Sequence, residues 1–299
     1  MKKDSIWFRI WKMRVVYLFI APFFVLFLIF QLFPLIWSFV LSFYEWNGLK
    51  VKEFVGVSHY IALMKDEMFL ECMRNSFIYW ISSIVLVLPL SLIVASTLNN
   101  PHNKGSKIYQ TILFLPYICA AVSMGLVFYI IFDYNSGLIN NLLTAVGIQK
   151  VPWLISTKLS KIPVIILCTW RVVPWYMLIF YSGLQSISKE LFEAAIIDGA
   201  NVFQKLFRIT IPSLAPIIFF CLINLSIESF RRFSEPFILT RGGPATSSMS
   251  LVQYLYNNAF TLFKLGYASA VGYALTFVLI IISSFQLRLM IKQSREGEA

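Results

Sequence analysis

Long stretches free of Asp, Glu, Lys and Arg alternate along this chain with short polar segments. Five run without interruption from Val15 to Phe43, Phe77 to Leu98, Ile108 to Phe132, Ile209 to Ser226 or a little beyond, and Leu265 to Leu287. A sixth, Ile162 to Leu184, is broken only by Arg171. A bilayer core of about 30 Å takes roughly 20 apolar residues in a helix, so the pattern predicts an all-α integral membrane protein with six transmembrane helices. The expected layout is an N-terminal segment over residues 1–14, a six-helix domain over 15–290 with a connecting loop at 185–212, and a tail over 291–299. The first stretch is too long for a secretory signal peptide and lacks a small-residue cleavage pattern, so it counts as a true span. Pro34 is placed to kink that span or cap its outer portion, and Pro89, Pro116, Pro163 and Pro174 predict further bends.

An even number of spans puts both termini on one side. Segments 1–14, 99–107, 185–208 and 288–299 hold 13 Lys and Arg in 59 residues, against 11 in the 99 residues of segments 44–76, 133–161 and 228–264. With the cluster Lys2, Lys3, Arg9, Lys12 and Arg14 ahead of the first span, this bias places both termini in the cytoplasm. Trp46 and Trp153 fall in the longer, outward loops, as aromatic belts do.

Composition narrows the function. The 299 residues are 59% hydrophobic and only 13% charged, which excludes a water-soluble globule and a disordered chain. In so apolar a chain the net charge of +11 marks membrane topology rather than a nucleic-acid partner. Cys72, Cys119, Cys168 and Cys221 share no short spacing, and His59 and His102 are the only histidines, so neither a metal site nor a histidine triad is expected. There is no Gly-rich phosphate loop, no HExxH helix and no GxSxG elbow, hence no catalytic residue to name and no ATP site on this chain.

Between the fourth and fifth spans lies Ser188-Lys-Glu-Leu-Phe-Glu193-Ala-Ala-Ile-Ile-Asp198-Gly199-Ala200, followed by Phe203, Ile209, Pro212 and Pro216. Ser188 suits an N-cap, Glu190 the first turn, and Gly199 a left-handed helix end, so a short exposed helix, a break and a second helix are predicted. On these residues alone the segment serves equally well as a plain connector. It also resembles the EAA loop of binding-protein-dependent ABC importer permeases, with Leu191, Glu193, Ala194, Ala195, Asp198, Gly199, Ala200, Phe203, Ile209, Pro212 and Pro216 at matching spacing and Leu206 where that family usually has phenylalanine.

Further blocks are similar to the maltose-type and glycerol-phosphate-type sugar permeases: Phe33-Pro34 with Ser42-Phe43, Trp46-Asn47 and Phe54-Val55-Gly56, then Gly137-Leu-Ile-Asn140, Val151-Pro-Trp-Leu154, Thr240-Arg-Gly-Gly-Pro244 and Gly266-Tyr-Ala-Ser-Ala270. The resemblance implies a bacterial inner-membrane permease paired with a second, homologous permease. It implies two ATPase subunits carrying ATP and Mg, an extracytoplasmic sugar-binding protein and a carbohydrate substrate, with lipid around the spans. Leu191, Glu193, Ala194, Ala195, Asp198, Gly199 and Ala200 would then couple to the ATPase, with Glu193 and Asp198 making polar contacts and the small residues allowing close approach.

Charge within a span is costly and faces a partner or a watery path, which singles out Arg171 and the group Glu228, Arg231 and Arg232. Arg171 and Trp175 share a helix face, as do Glu228 and Arg232. By register with the sugar pocket of maltose-type permeases, Cys168, Val172, Trp175, Glu228, Ser229 and Arg232 line the path. Two readings of Arg171 stand open: a path residue, or an ion pair with Glu228, the only carboxylate near a span. Arg231 is placed to snorkel to the outer interface. Three arginines against one glutamate favour an acidic, uronate-containing oligosaccharide over a neutral one. The alternatives are a glycerol-phosphate or other small-solute importer permease and, more distantly, a secondary transporter, which would show internal repeats and a carboxylate relay.

Overall fold

A computed structural model describes residues 13–49, 51–100 and 105–297, with side chains to residue 293. Lys2, Lys3, Arg9, Lys12 and His102 lie outside the described residues. Among the described residues four helices are long and apolar enough to cross a membrane: α1 (Arg14–Leu41), α3 (Glu67–Leu98), α7 (Lys161–Gln185) and Leu265–Gln293, the main part of α13 (Leu265–Gly297). Two bent pairs make the count six when each is taken as one span: α4 (Ser106–Ile118) with α5 (Ala121–Ile131), and α9 (Val202–Ser213) with α10 (Ala215–Phe230). Shorter helices are α2 (Ser58–Lys65), α6 (Leu138–Ala145), α8 (Lys189–Ile197), α11 (Ser234–Thr240) and α12 (Leu251–Tyr256). A small antiparallel hairpin pairs β1 (Tyr44–Glu45) with β2 (Glu53–Phe54).

The third apolar stretch is therefore not one straight helix. It bends by 90° where Cys119 and Ala120 adopt extended backbone, ψ 142° and 131°, just after Pro116. The fifth bends by 73° at Leu214, between Pro212 and Pro216. Pro34 instead leaves α1 continuous. A π-helical turn over Leu28–Leu32 contains Phe30, the residue whose carbonyl a proline at 34 crowds, and the wider turn makes room for the ring. The same device recurs at Leu206–Thr210, which contains Arg208, four residues before Pro212.

Helices α3, α7 and α10 form the centre, where Val87, Val172, Tyr176, Phe180 and Leu225 are buried together. A second cluster packs α13 and α12 on the first half of α3 through Phe69, Phe230, Leu251 and Val271. Several polar groups inside the bundle are paired across helices. The Ser226 hydroxyl accepts from Trp80 Nε1 on α3 and from Gln286 Nε2 on α13, each at 2.8 Å, and donates to the Leu222 carbonyl at 2.7 Å. The segment after α11 is held the same way. Asn75 donates to the Thr246 and Met249 carbonyls at 2.8 and 3.0 Å, and Tyr79 donates to the Ser248 carbonyl at 2.7 Å. Helix α1 differs: its apolar window buries no residue within this chain.

Ser226→Ala leaves a buried donor, Gln286, and a half-buried one, Trp80, without their acceptor, so the purified protein is expected to lose about 1–3 kcal/mol of stability. A thermal melt in detergent checks this; an unchanged melting temperature would contradict the role given to Ser226.

Candidate functional site

The charged residues of the central helices converge on one polar cavity of about 460 Å³, lined by Tyr117, Trp175, Tyr176, Asn224, Ile227, Glu228, Arg231, Arg232, Phe233, Ser234 and Glu235. Helix α7 supplies its aromatic wall, α10 its charged wall, and α11, which folds back after a break at Arg231–Phe233, closes the end away from α8. Helix α11 is wedged tightly: a Cβ on Gly125 of α5 would come within 2.7 Å of Ile238.

The Arg171–Glu228 ion pair, one of the two open readings of Arg171, is not formed. Arg171 Nη1 bonds Glu235 Oε1 at 2.7 Å, and both side chains are largely buried. The fold-back of α11 carries Glu235 to the guanidinium, whereas Glu228 accepts from Tyr176 at 3.3 Å. A second carboxylate thus stands at the site, contrary to the count of one. Arg232 is buried, its Nη1 3.4 Å from Ser83 Oγ. Arg231 is exposed and also lines the cavity.

Of the path residues expected from sequence, Trp175, Glu228 and Arg232 come together on the cavity wall, and Arg171 stands behind Glu235. Cys168, Val172 and Ser229 do not line it. Cys168 packs with Tyr79, Leu167 and Leu239, Val172 joins the central core, and Ser229 is buried. Sequence reasoning missed Glu235 and Tyr117. Glu235 carried a signal, since Ser234-Glu235-Pro236 has the acidic first turn and proline of a helix start. Tyr117 carried none, for it sits inside an apolar stretch and reaches the cavity only because the chain bends at Cys119. Its ring stacks on Trp175, with centroids 5.0 Å apart and planes 16° from parallel.

The segment after α7 folds as its residues predict. Ser188 Oγ caps α8 by accepting from the Glu190 amide at 3.2 Å. At the other end Gly199 takes φ +72°, and the Ala200 and Gly199 amides bond the Ala195 and Ile196 carbonyls at 2.8 and 3.0 Å, a Schellman termination. Asn201 and Gln204 cap each other at the start of α9. Apart from Ala195, which is buried, the α8 face is open, and Leu191, Ile196, Ile197 and Phe203 stand exposed.

A separate cleft of about 680 Å³ lies near the hairpin, lined in part by Trp46, His59, Asp66, Tyr254 and Tyr267. Asp66 caps α3 through the Met68 and Phe69 amides at 2.9 and 3.3 Å, and accepts from the hydroxyls of Tyr254 and Tyr267, the latter at 2.5 Å. Burial alone would raise its pKa, but these four hydrogen bonds together hold the carboxyl below its ordinary value.

The chain matches the family described as "Binding-protein-dependent transport system inner membrane component" over residues 87–296. It belongs to that family. It is 33% identical over 275 residues to the lactose transport system permease protein LacF of Rhizobium radiobacter, covering 90% of this chain and 92% of the relative. It is also 33% identical over 288 residues to the arabinooligosaccharides transport system permease protein AraP of Bacillus subtilis (strain 168), covering 96% and 91%. Its fold is that of a chain in the crystal structure of a bacterial alginate ABC transporter bound to an alginate pentasaccharide-loaded periplasmic protein. The TM-score is 0.83 at 23% identity, over 95% of this chain and 96% of that one. The permease is thus a transport component and not itself an enzyme.

Two outcomes follow from this geometry. Glu235→Gln removes the countercharge of a largely buried guanidinium and is expected to destabilise the permease by about 3–5 kcal/mol, while the double variant Arg171→Met with Glu235→Leu recovers most of that loss; melting temperatures of the three proteins decide it. Because the Asp66 pKa is lowered in the fold, its contribution is full at neutral pH and is lost as pH falls below the unfolded value of ~3.9 and through the folded one. The melting-temperature difference between the parent and Asp66→Asn should therefore be largest near neutral pH and shrink in acid.

Proposed function

We propose that this permease is the sugar-conducting subunit of an ATP-driven importer, passing an oligosaccharide from an extracytoplasmic binding protein through the cavity between α7, α10 and α11. The observation that carries the reading is that cavity. Trp175 and Tyr117 offer flat apolar faces for the C–H surface of a sugar, and Tyr176, Glu228, Arg231 and Arg232 surround them with hydrogen-bonding groups. Lactose and arabino-oligosaccharide permeases among its relatives support a carbohydrate. With Arg171 paired to Glu235, the charges left are Arg231 and Arg232 against Glu228. That balance still offers a guanidinium to a uronate carboxylate.

In this reading the start of α1, the end of α13 and the coupling loop 185–212 lie in the cytoplasm. The exposed helix α8 docks on an ATPase subunit that carries ATP and Mg, with Glu193 and Asp198 at the contact, and a second permease completes the path. A capped helix moves as one body, so closure of the ATPase pair would reach α7 and α10 through α8 and α9.

ATP hydrolysis by the assembled transporter, titrated with its binding protein and matched neutral and uronate-containing oligosaccharides, tests the proposal. Stimulation by sugar is expected. Glu193→Arg should lower that stimulation by about tenfold, the loss of roughly 1.4 kcal/mol of contact. Arg232→Ala should weaken acidic sugars more than neutral ones. No response to any sugar would remove the carbohydrate reading, and an unaltered response in Glu193→Arg would remove α8 from the coupling path.

A further inference from the structure

Two cavities lie along one face of α7 and meet at a single side chain. The polar cavity ends against Trp175, and a second one of about 500 Å³ continues from Trp175 towards the α8 end, past Ser182, Gly183, Ser186 and Ile217. Trp175 is the one described residue that lines both. Trp175 stands 40% exposed, and Tyr117 lies flat against its indole.

We infer that the Trp175–Tyr117 stack is the partition between the two cavities, and that a sugar passes by exchanging places with Tyr117 on the indole face; this rests on reading the polar cavity as the sugar path. Four observations carry it. The two rings come from different helices, α7 and α4, so a shift of one helix against the other parts them without unfolding either. Tyr117 sits in the last turn before the 90° bend at Cys119–Ala120, so its ring lies next to the point where the chain leaves helical geometry. Beyond the rings the same face of α7 runs from the apolar Leu178 and Ile179 to Ser182 and Ser186, so the second cavity continues along that helix past the stack. The contact is also replaceable in kind, because a sugar's C–H face stacks on an indole as a tyrosine ring does. A cargo without such a face has nothing to offer in exchange, which makes the pair a selectivity element as well as a barrier.

The test uses the complete transporter in vesicles that expose the α8 end, with Cys119→Ser to remove the one native cysteine that is not buried and Ser234→Cys as a reporter on the far wall of the polar cavity. A membrane-impermeant maleimide is added from the α8 side without sugar. Labelling should be slow in this parent and rise about tenfold with Trp175→Ala, the fold-change matching loss of a stacking contact of about 1.4 kcal/mol. It should also rise with Tyr117→Ala and stay slow with Trp175→Phe, which keeps a stacking ring. Equal rates in the parent and in Trp175→Ala would overturn the partition, as would a parent rate matching that of a Ser186→Cys control. If Trp175→Ala does not assemble, Tyr117→Ala decides by the same readout. The labelling needs no sugar. A parent that labels slowly but shows no sugar-stimulated ATP hydrolysis would therefore keep the partition while losing the sugar reading.

Discussion

A guanidinium inside an apolar helix bundle must meet a countercharge, and the way Arg171 meets its own organises the middle of this permease. Burying a charge without a partner costs several kcal/mol, while pairing recovers much of it only if geometry is good. Glu235 supplies that geometry at 2.7 Å, and it can do so only because α11 turns back after α10 and re-enters the bundle. The position of α11 then fixes the far wall of the polar cavity. It also sets the course of the following segment, whose carbonyls are held by Asn75 and Tyr79 of α3. Charge pairing, cavity shape and loop path are one constraint seen at three places.

Prolines set the second feature of the architecture. At Pro34 a π turn stands in front of the ring and the helix continues; after Pro116 the backbone goes extended, and the span breaks and turns by 90°. The break puts the end of α4 beside α7 and so makes the ring pair that separates the two cavities. The continuous helices α3, α7 and α13, tied through Ser226 and the apolar core, form the frame against which such a bend can work. Helix α1 buries no residue of its apolar window within this chain, and that exposed surface is suited to lipid or a neighbouring subunit.

Much of this was legible in the amino-acid order. About twenty apolar residues in a row satisfy their backbone only as a helix when no water is present, so the six stretches and the all-α class follow directly. The short helix after the fourth span was legible too, since Ser188 and Gly199 act locally and need no tertiary contact to cap and end it. The family could be read from the same segment, because its spacing of small, acidic and proline residues is specific. The order of residues also marked Arg171, Glu228 and Arg232 as charges in need of an explanation.

What the order could not decide was which groups meet. Helical register is a local property and correctly put Arg171 and Trp175 on one face, but the partner of Arg171 depends on a fold-back that only tertiary packing produces. Glu235 therefore lay hidden in an apparent loop, and Glu228 stood as the candidate partner in its place. Cys168, Val172 and Ser229 shared the right helices yet face the core, because a register carried over from relatives fixes a position along a helix and not the rotation that neighbouring side chains impose. Tyr117 reached Trp175 through a bend at Cys119 and Ala120, two residues with no strong turn preference of their own. The spans, the caps and the family were determined by the sequence alone, since each rests on interactions within one segment. The ion pair, the cavity and the ring stack were decided by the tertiary structure, since each joins segments far apart in the chain.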